Sequence, residues 1–184
     1  MKRFTILLVL ALATPVLAQT ATKTAKATKP ASNPGVSAAR AVWEINTGYL
    51  QQSAEQMPEA EYAFRPTPEV RTFGQLIGHV AGAQYMMCAA ALGETEKAED
   101  DIEKSKTSKA DLVAALKASS DYCRRAYSQS DASAAASTKL FGQTQTKMFA
   151  LAVNASHDGE HYGNVVTYMR IKGMVPPSSR PSTP

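Results

Sequence analysis

The chain contains three histidines, and two of them, His157 and His161 in "HDGEH", stand four residues apart. On an α-helix this spacing puts both imidazoles on one face, one turn apart, which is how a helix offers two nitrogens to a single metal ion. The third, His79 in "FGQLIGHVA", lies in another stretch with helical patterning. Both stretches place their histidines beside an apolar stripe rather than opposite it. His157 and His161 flank Leu151, Ala155, Tyr162, Val165 and Met169, and His79 flanks Phe73, Leu76, Val80 and Met87. From such positions, ligands on neighbouring helices can converge. Hydrogen-bonded structural histidines at the edge of a core would show the same pattern.

Two carboxylates share the motif. Asp158 points into the apolar stripe and precedes His161 by three residues. There it could accept a ring N–H and orient a histidine, pair with an arginine, or stand at the stripe's surface edge. Glu160 completes H-x-x-E-H, the inverted zinc-peptidase pattern, in which it would be the general base. Against that stand Gly159, which weakens a helix at its centre, and the lack of a substrate cleft in a bare helical bundle.

Four helices must position these groups. The first spans about Ser37 to Gln56, with Val42, Trp43, Asn46, Tyr49, Leu50 and Met57 at steps of three and four, and Pro58 marks its end. "YAFRPTPEV" then reads as an extended connector. The second begins with a capping box at Thr72 and Gln75 and stops at Gly93. The third starts at Ser108 with Asp111 and carries Leu112, Ala115, Leu116, Ser119, Tyr122, Cys123 and Tyr127. The fourth runs from about Gln143 to Lys172, closed by Gly173 and two prolines, and almost no β signal appears. The fold class is all-α, a four-helix bundle over residues 37–177, with residues 178–184 as a disordered tail.

The charged connector 94–107, "ETEKAEDDIEKSKT", can stretch to roughly 45 Å, against helices about 30 Å long. It is therefore long enough to be a crossover between two parallel helices. In that arrangement Cys88 and Cys123 sit at similar heights, and a disulfide between them is geometrically open; the alternative is two small buried apolar residues.

The leader is separate from the bundle. Lys2 and Arg3, the apolar run Phe4 to Ala13, and Val16 and Ala18 before a cleavage point form a secretory signal peptide over residues 1–18. That run is too short to anchor the chain in a bilayer, so export to the periplasm or the medium is expected, with no stable membrane insertion after cleavage. Residues 19–36 carry almost no bulky apolar side chain and read as a disordered spacer. Five of the twenty Lys and Arg lie in this leader, so the remainder carries about −1 rather than the +4 of the whole chain. Without a clustered basic surface, no nucleic-acid partner is expected.

Taken together, "FGQLIGHVA" and "HDGEHYGNVVTYMRIKGMVPP" resemble the DinB-like (DNA-damage-inducible, DinB/YfiT-like) metalloenzyme family. Its pattern is one histidine on helix two, an H-x-x-x-H pair on helix four, then a glycine, a Tyr-x-Arg and a glycine before prolines. Here these are His79, His157, His161, Gly163, Tyr168, Arg170, Gly173 and Pro176. "YAFRPTPEVRTFGQL" resembles the family's lead into helix two. The resemblance implies an up-down-down-up bundle and a divalent metal held by His79, His157 and His161, leaving positions open for water or substrate. Zinc or nickel suits imidazole best, with manganese and iron next. Among relatives are thiol-dependent transferases and isomerases, whose low-molecular-weight thiols are cytosolic and fit an exported chain poorly. The expected function is a metal-dependent hydrolase or transferase acting on a small molecule; the alternative is a bundle that binds metal or ligand without chemistry. Trp43 and the tyrosines could serve a homodimer interface, but their spacing favours the core.

Overall fold

The computed structural model describes residues 33–95 and 97–181. The expected signal peptide and most of the spacer lie outside the described residues. Four long helices make the body: α1 (Pro34–Gln56), α2 (Phe73–Leu92), α4 (Lys109–Ala126) and α6 (Lys147–Ile171). Between them lie the short helices α3 (Asp101–Ser105) and α5 (Asp131–Ala134) and a hairpin of β1 (Ser137–Leu140) and β2 (Gln143–Thr146).

Local chemistry sets the boundaries. Thr72 and Gln75 form the full capping box, each side chain accepting the other's backbone N–H, and Gly93 ends α2 at φ 76. Ser108 and Thr146 accept from the third N–H of α4 and α6.

Contacts along the helices fix their directions. Gly74 faces Leu112 near the start of α2 and α4, and Cys88 is bonded to Cys123 further along, so these two helices run parallel. The Cα atoms of that disulfide are 5.3 Å apart. Lys147 Nζ donates to the Leu92 carbonyl, and Tyr168 OH to the Arg71 carbonyl, so α6 is antiparallel to α2. Asn46 Nδ2 donates to the Ala155 carbonyl and Gln56 Nε2 to the Val175 carbonyl, so α1 runs with α6. The bundle is up-down-down-up, and residues 94–107 are the crossover that this order requires.

Several sequence expectations need correction. Residues 137–146 form a hairpin whose second strand, Gln143–Thr146, takes the place of the expected start of the fourth helix, and α6 begins at Lys147. Phe141 and Gly142 both take positive φ, 52 and 72, which suits a two-residue hairpin turn with the right-handed twist of its strands. The spacer's last residues belong to the bundle: α1 starts at Pro34, and the Gly35 and Val36 N–H groups donate to the Asp131 carboxylate at 2.9 and 2.8 Å. The tail is structured through Pro177–Ser179, where the Ser178 N–H donates to Tyr162 Oη at 2.9 Å. Val42 is 50% exposed and lies off the core stripe that Trp43 anchors.

The interior divides into two apolar clusters. One surrounds Trp43, Met87, the disulfide, Tyr127 and Leu151; the other surrounds Leu50, Phe73, Ile77, Leu116, Val165 and Met169. At their boundary every long helix contributes a buried polar residue: Thr47, Gln84, Ser119 with Ser120, and Asp158. Gln84 ties them together. Its Nε2 donates to Thr47 Oγ1 (3.0 Å) and Asp158 Oδ2 (2.7 Å), and its Oε1 accepts from Ser119 (2.8 Å) and Ser120 (3.2 Å).

Candidate metal centre

His79 lies in the second turn of α2, positioned by the Thr72 cap, and His157 and His161 lie one turn apart in the middle of α6. Because α2 and α6 are antiparallel neighbours, the three rings meet. Their Nε2 atoms form a triangle with sides of 3.1 Å (His79–His161), 3.2 Å (His157–His79) and 3.0 Å (His161–His157). Gly159 faces α1 rather than α2, and a Cβ there would stand 2.9 Å from Asn46 Nδ2. A larger residue inside "HDGEH" would have to displace the Asn46 amide from the Ala155 carbonyl.

The donor set fits a cation. Two nitrogens bound to one ion at about 2.0–2.1 Å are separated by roughly 2.8–3.0 Å in octahedral and roughly 3.3–3.4 Å in tetrahedral geometry, and the sides of the triangle fall within that span. Three lone pairs aimed at a common point repel one another unless a positive charge lies between them. Burial is the main influence on the rings: it holds His79 down to about 4 and His157 to about 3, and it lowers His161 as well. The positive charge of Arg71 acts in the same direction on all three. At neutral pH the imidazoles are uncharged, the state in which they ligate metals.

The outer nitrogens differ. His161 Nδ1 is 3.2 Å from the Asn164 amide. With the proton on Nδ1, that amide serves as acceptor once it presents its oxygen. His79 Nδ1 has Glu99 Oε1 at 3.4 Å and Glu103 Oε2 at 3.8 Å. His157 Nδ1 is buried without a partner among the described residues. Glu103 also accepts from Arg71 Nε through both oxygens at 3.1 Å, holding the guanidinium beside the rings. A cavity of about 640 Å³ opens next to the triangle, lined by Arg71, Glu103, His161, Asn164, Thr167 and Tyr168 among others. A larger hollow of about 790 Å³ reaches Arg71 and Glu103 from the other side but none of the histidines.

The sequence-derived candidates are therefore placed differently from one another. The three histidines come together. Asp158 does not join them: it is fully buried, accepts from Gln84, and its Oδ1 has no partner among the described residues. The expected role of orienting a histidine is corrected, because a residue one step along a helix turns about 100° away, here from the triangle into the core. Burial pushes its carboxyl up to about 8, although the Gln84 bond works against this. Glu160 lies on the exposed side of α6. Sequence reasoning missed Arg71, Gln84, Glu99, Glu103 and Asn164. Only Asn164 carried a local signal, being one turn beyond His161.

The sequence model of the DinB superfamily matches residues 43–165. A DinB-like protein from Bacillus cereus superposes with a TM-score of 0.65 at 16% identity, covering 77% of this chain and 95% of that one. A DinB-like protein from Bacillus subtilis gives a TM-score of 0.60 at 18% identity, covering 78% and 94%. A mycothiol-dependent maleylpyruvate isomerase gives 0.58 at 16% identity, covering 71% of this chain and 60% of that one. No curated protein matches in sequence. At these identities the structural likenesses speak for the fold, whereas the sequence match covers well over half of the chain: the protein belongs to the DinB superfamily.

Proposed function

We propose that the protein is an exported metal-dependent hydrolase or transferase that holds a divalent ion, zinc or nickel, on His79, His157 and His161. The observation that carries this reading is the triangle of Nε2 atoms, 3.0–3.2 Å on a side, beside an open cavity. Held there, such an ion would supply Lewis-acid chemistry toward a water or a substrate thiol. The chain's own contribution is positional. Burial keeps the imidazoles neutral, Glu103 holds the Arg71 guanidinium at the cavity wall, and Asn164 and Thr167 offer polar contacts to a small substrate. The likeness to an isomerase named for its thiol supports a thiol-bearing substrate, while the expected leader supports a hydrolytic one outside the cytosol. The Cys88–Cys123 bond supports export too, since disulfides persist in oxidising compartments.

One observation favours the alternative of a non-catalytic binder. Asp158 is sealed in the core and Glu160 faces outward, so neither acid–base candidate in the motif reaches the triangle. Elemental analysis of untagged protein should show about one divalent ion per chain, lost in His157→Ala. Turnover of generic ester, phosphate or thiol substrates that disappears in the same variant would mark an enzyme. Stoichiometric metal with no turnover would mark a binder, and a metal-free wild type would end both readings.

A further inference from the structure

The crossover does more than connect two parallel helices. Gly74, Gly78 and Gly82 recur every fourth residue on α2 and leave one strip of that helix as bare backbone. The crossover lies against the Gly78 and Gly82 part of this strip, while Gly74 faces Tyr62 and Leu112. A Cβ at Gly82 would stand 1.7 Å from the Glu99 carbonyl oxygen, and one at Gly78 would stand 2.8 Å from Glu103 Cα. Neither space exists for any residue other than glycine. The segment is also pinned at both ends. Glu94 accepts from Arg125 Nη2 and Tyr122 OH at 2.6 Å each, and Glu103 holds Arg71.

This seating puts the Glu99 backbone against the turn of α2 that follows His79, and it brings Glu99 Oε1 within 3.4 Å of His79 Nδ1. A neutral imidazole has one N–H, and the group facing one nitrogen determines where that proton sits. An acceptor at Nδ1 keeps the proton there and leaves the Nε2 lone pair for the triangle. Resting on the proposed metal site, we propose that Glu99 is a positioning residue: docked on Gly82, its carboxylate holds the His79 proton on Nδ1 and so makes Nε2 the ligand atom. For this, the contact must tighten from 3.4 Å to the roughly 2.7–3.2 Å of a hydrogen bond. Glu103 Oε2, at 3.8 Å and engaged with Arg71, is the weaker candidate for the same contact.

The test uses the full chain and zinc, with affinity measured by competition against a chromophoric chelator. Glu99→Ala should weaken zinc binding by roughly 10–100-fold, the range typical for partners of metal-bound histidines, with the thermal unfolding of the metal-free protein unchanged. Glu99→Gln, which keeps an acceptor oxygen, should recover part of the loss. Gly82→Ala should reproduce it with Glu99 still present. Nitrogen-15 NMR of the metal-free protein should show His79 as the Nδ1–H tautomer, moving toward Nε2–H in Glu99→Ala. Zinc binding in Glu99→Ala equal to wild type, or an Nε2–H tautomer in the wild type, overturns the proposal while leaving the three-histidine site intact. A wild type that binds no zinc yet shows the Nδ1–H tautomer overturns the metal reading instead.

Discussion

Asp158 lies between two of the histidines on α6, with His79 facing them from α2, and the carboxylate and the imidazoles respond to burial in opposite directions. Each histidine is depressed below its free value, so in the metal-free protein the unfolded chain takes up protons first. The stability these rings contribute is complete above about pH 6.5 and is lost as pH falls through about 4 for His79 and about 3 for His157. Asp158 is raised, so its contribution is complete below its free value of 3.8 and is lost as pH rises through about 8. Between pH 6.5 and 8 only the Asp158 effect operates among these groups. Asp158→Asn, which can still accept from Gln84, should therefore gain on the order of 1–2 kcal/mol over wild type across that window. Urea midpoints of both metal-free proteins at the two pH values measure it, and parallel midpoints would show that Asp158 does not titrate there. In the sequence Asp158 was legible as a core-facing carboxylate, but its partner was not, because Gln84 lies 74 residues away on a helix whose rotation about its axis is set by packing.

At the scale of elements, capping chemistry was the most legible feature. The Thr72 box, the Ser108 cap and the Gly93 stop each depend on residues within one turn of one another, so the linear sequence contains both halves of each interaction. The hairpin was less legible. Its strands of four residues are polar and mostly exposed, and its turn puts Phe141 in a positive-φ conformation unusual for a bulky side chain. The Cys88–Cys123 bond ties the parallel pair α2 and α4 across 35 residues, a closure that lowers the unfolded chain's entropy by roughly 3–4 kcal/mol. Replacing both cysteines with alanine, or adding reductant, should lower the urea midpoint by a corresponding amount. Identical unfolding of oxidised and reduced protein would mean that the bond adds no stability to the bundle.

For the whole molecule, charge divides unevenly between the proposed leader and the bundle. The five leader cations account for the basic character of the chain, and the bundle is close to neutral. If the inferred export is right, protein recovered from the periplasm or medium of an expressing bacterium should begin at Gln19 by mass, with its cysteines oxidised. An intact Met1 on soluble cytoplasmic protein would refute it. The three imidazoles, the four amphipathic stripes and the length of the crossover could all be read from residue order, because helical periodicity turns sequence spacing into direction within about one turn. What surrounds the imidazoles could not. Glu99 approaches His79 because the crossover folds back onto the glycine strip of α2, and Arg71 and Gln84 reach their partners across helix interfaces. Such contacts depend on how rigid helices dock, a property of the assembled bundle that no single segment encodes.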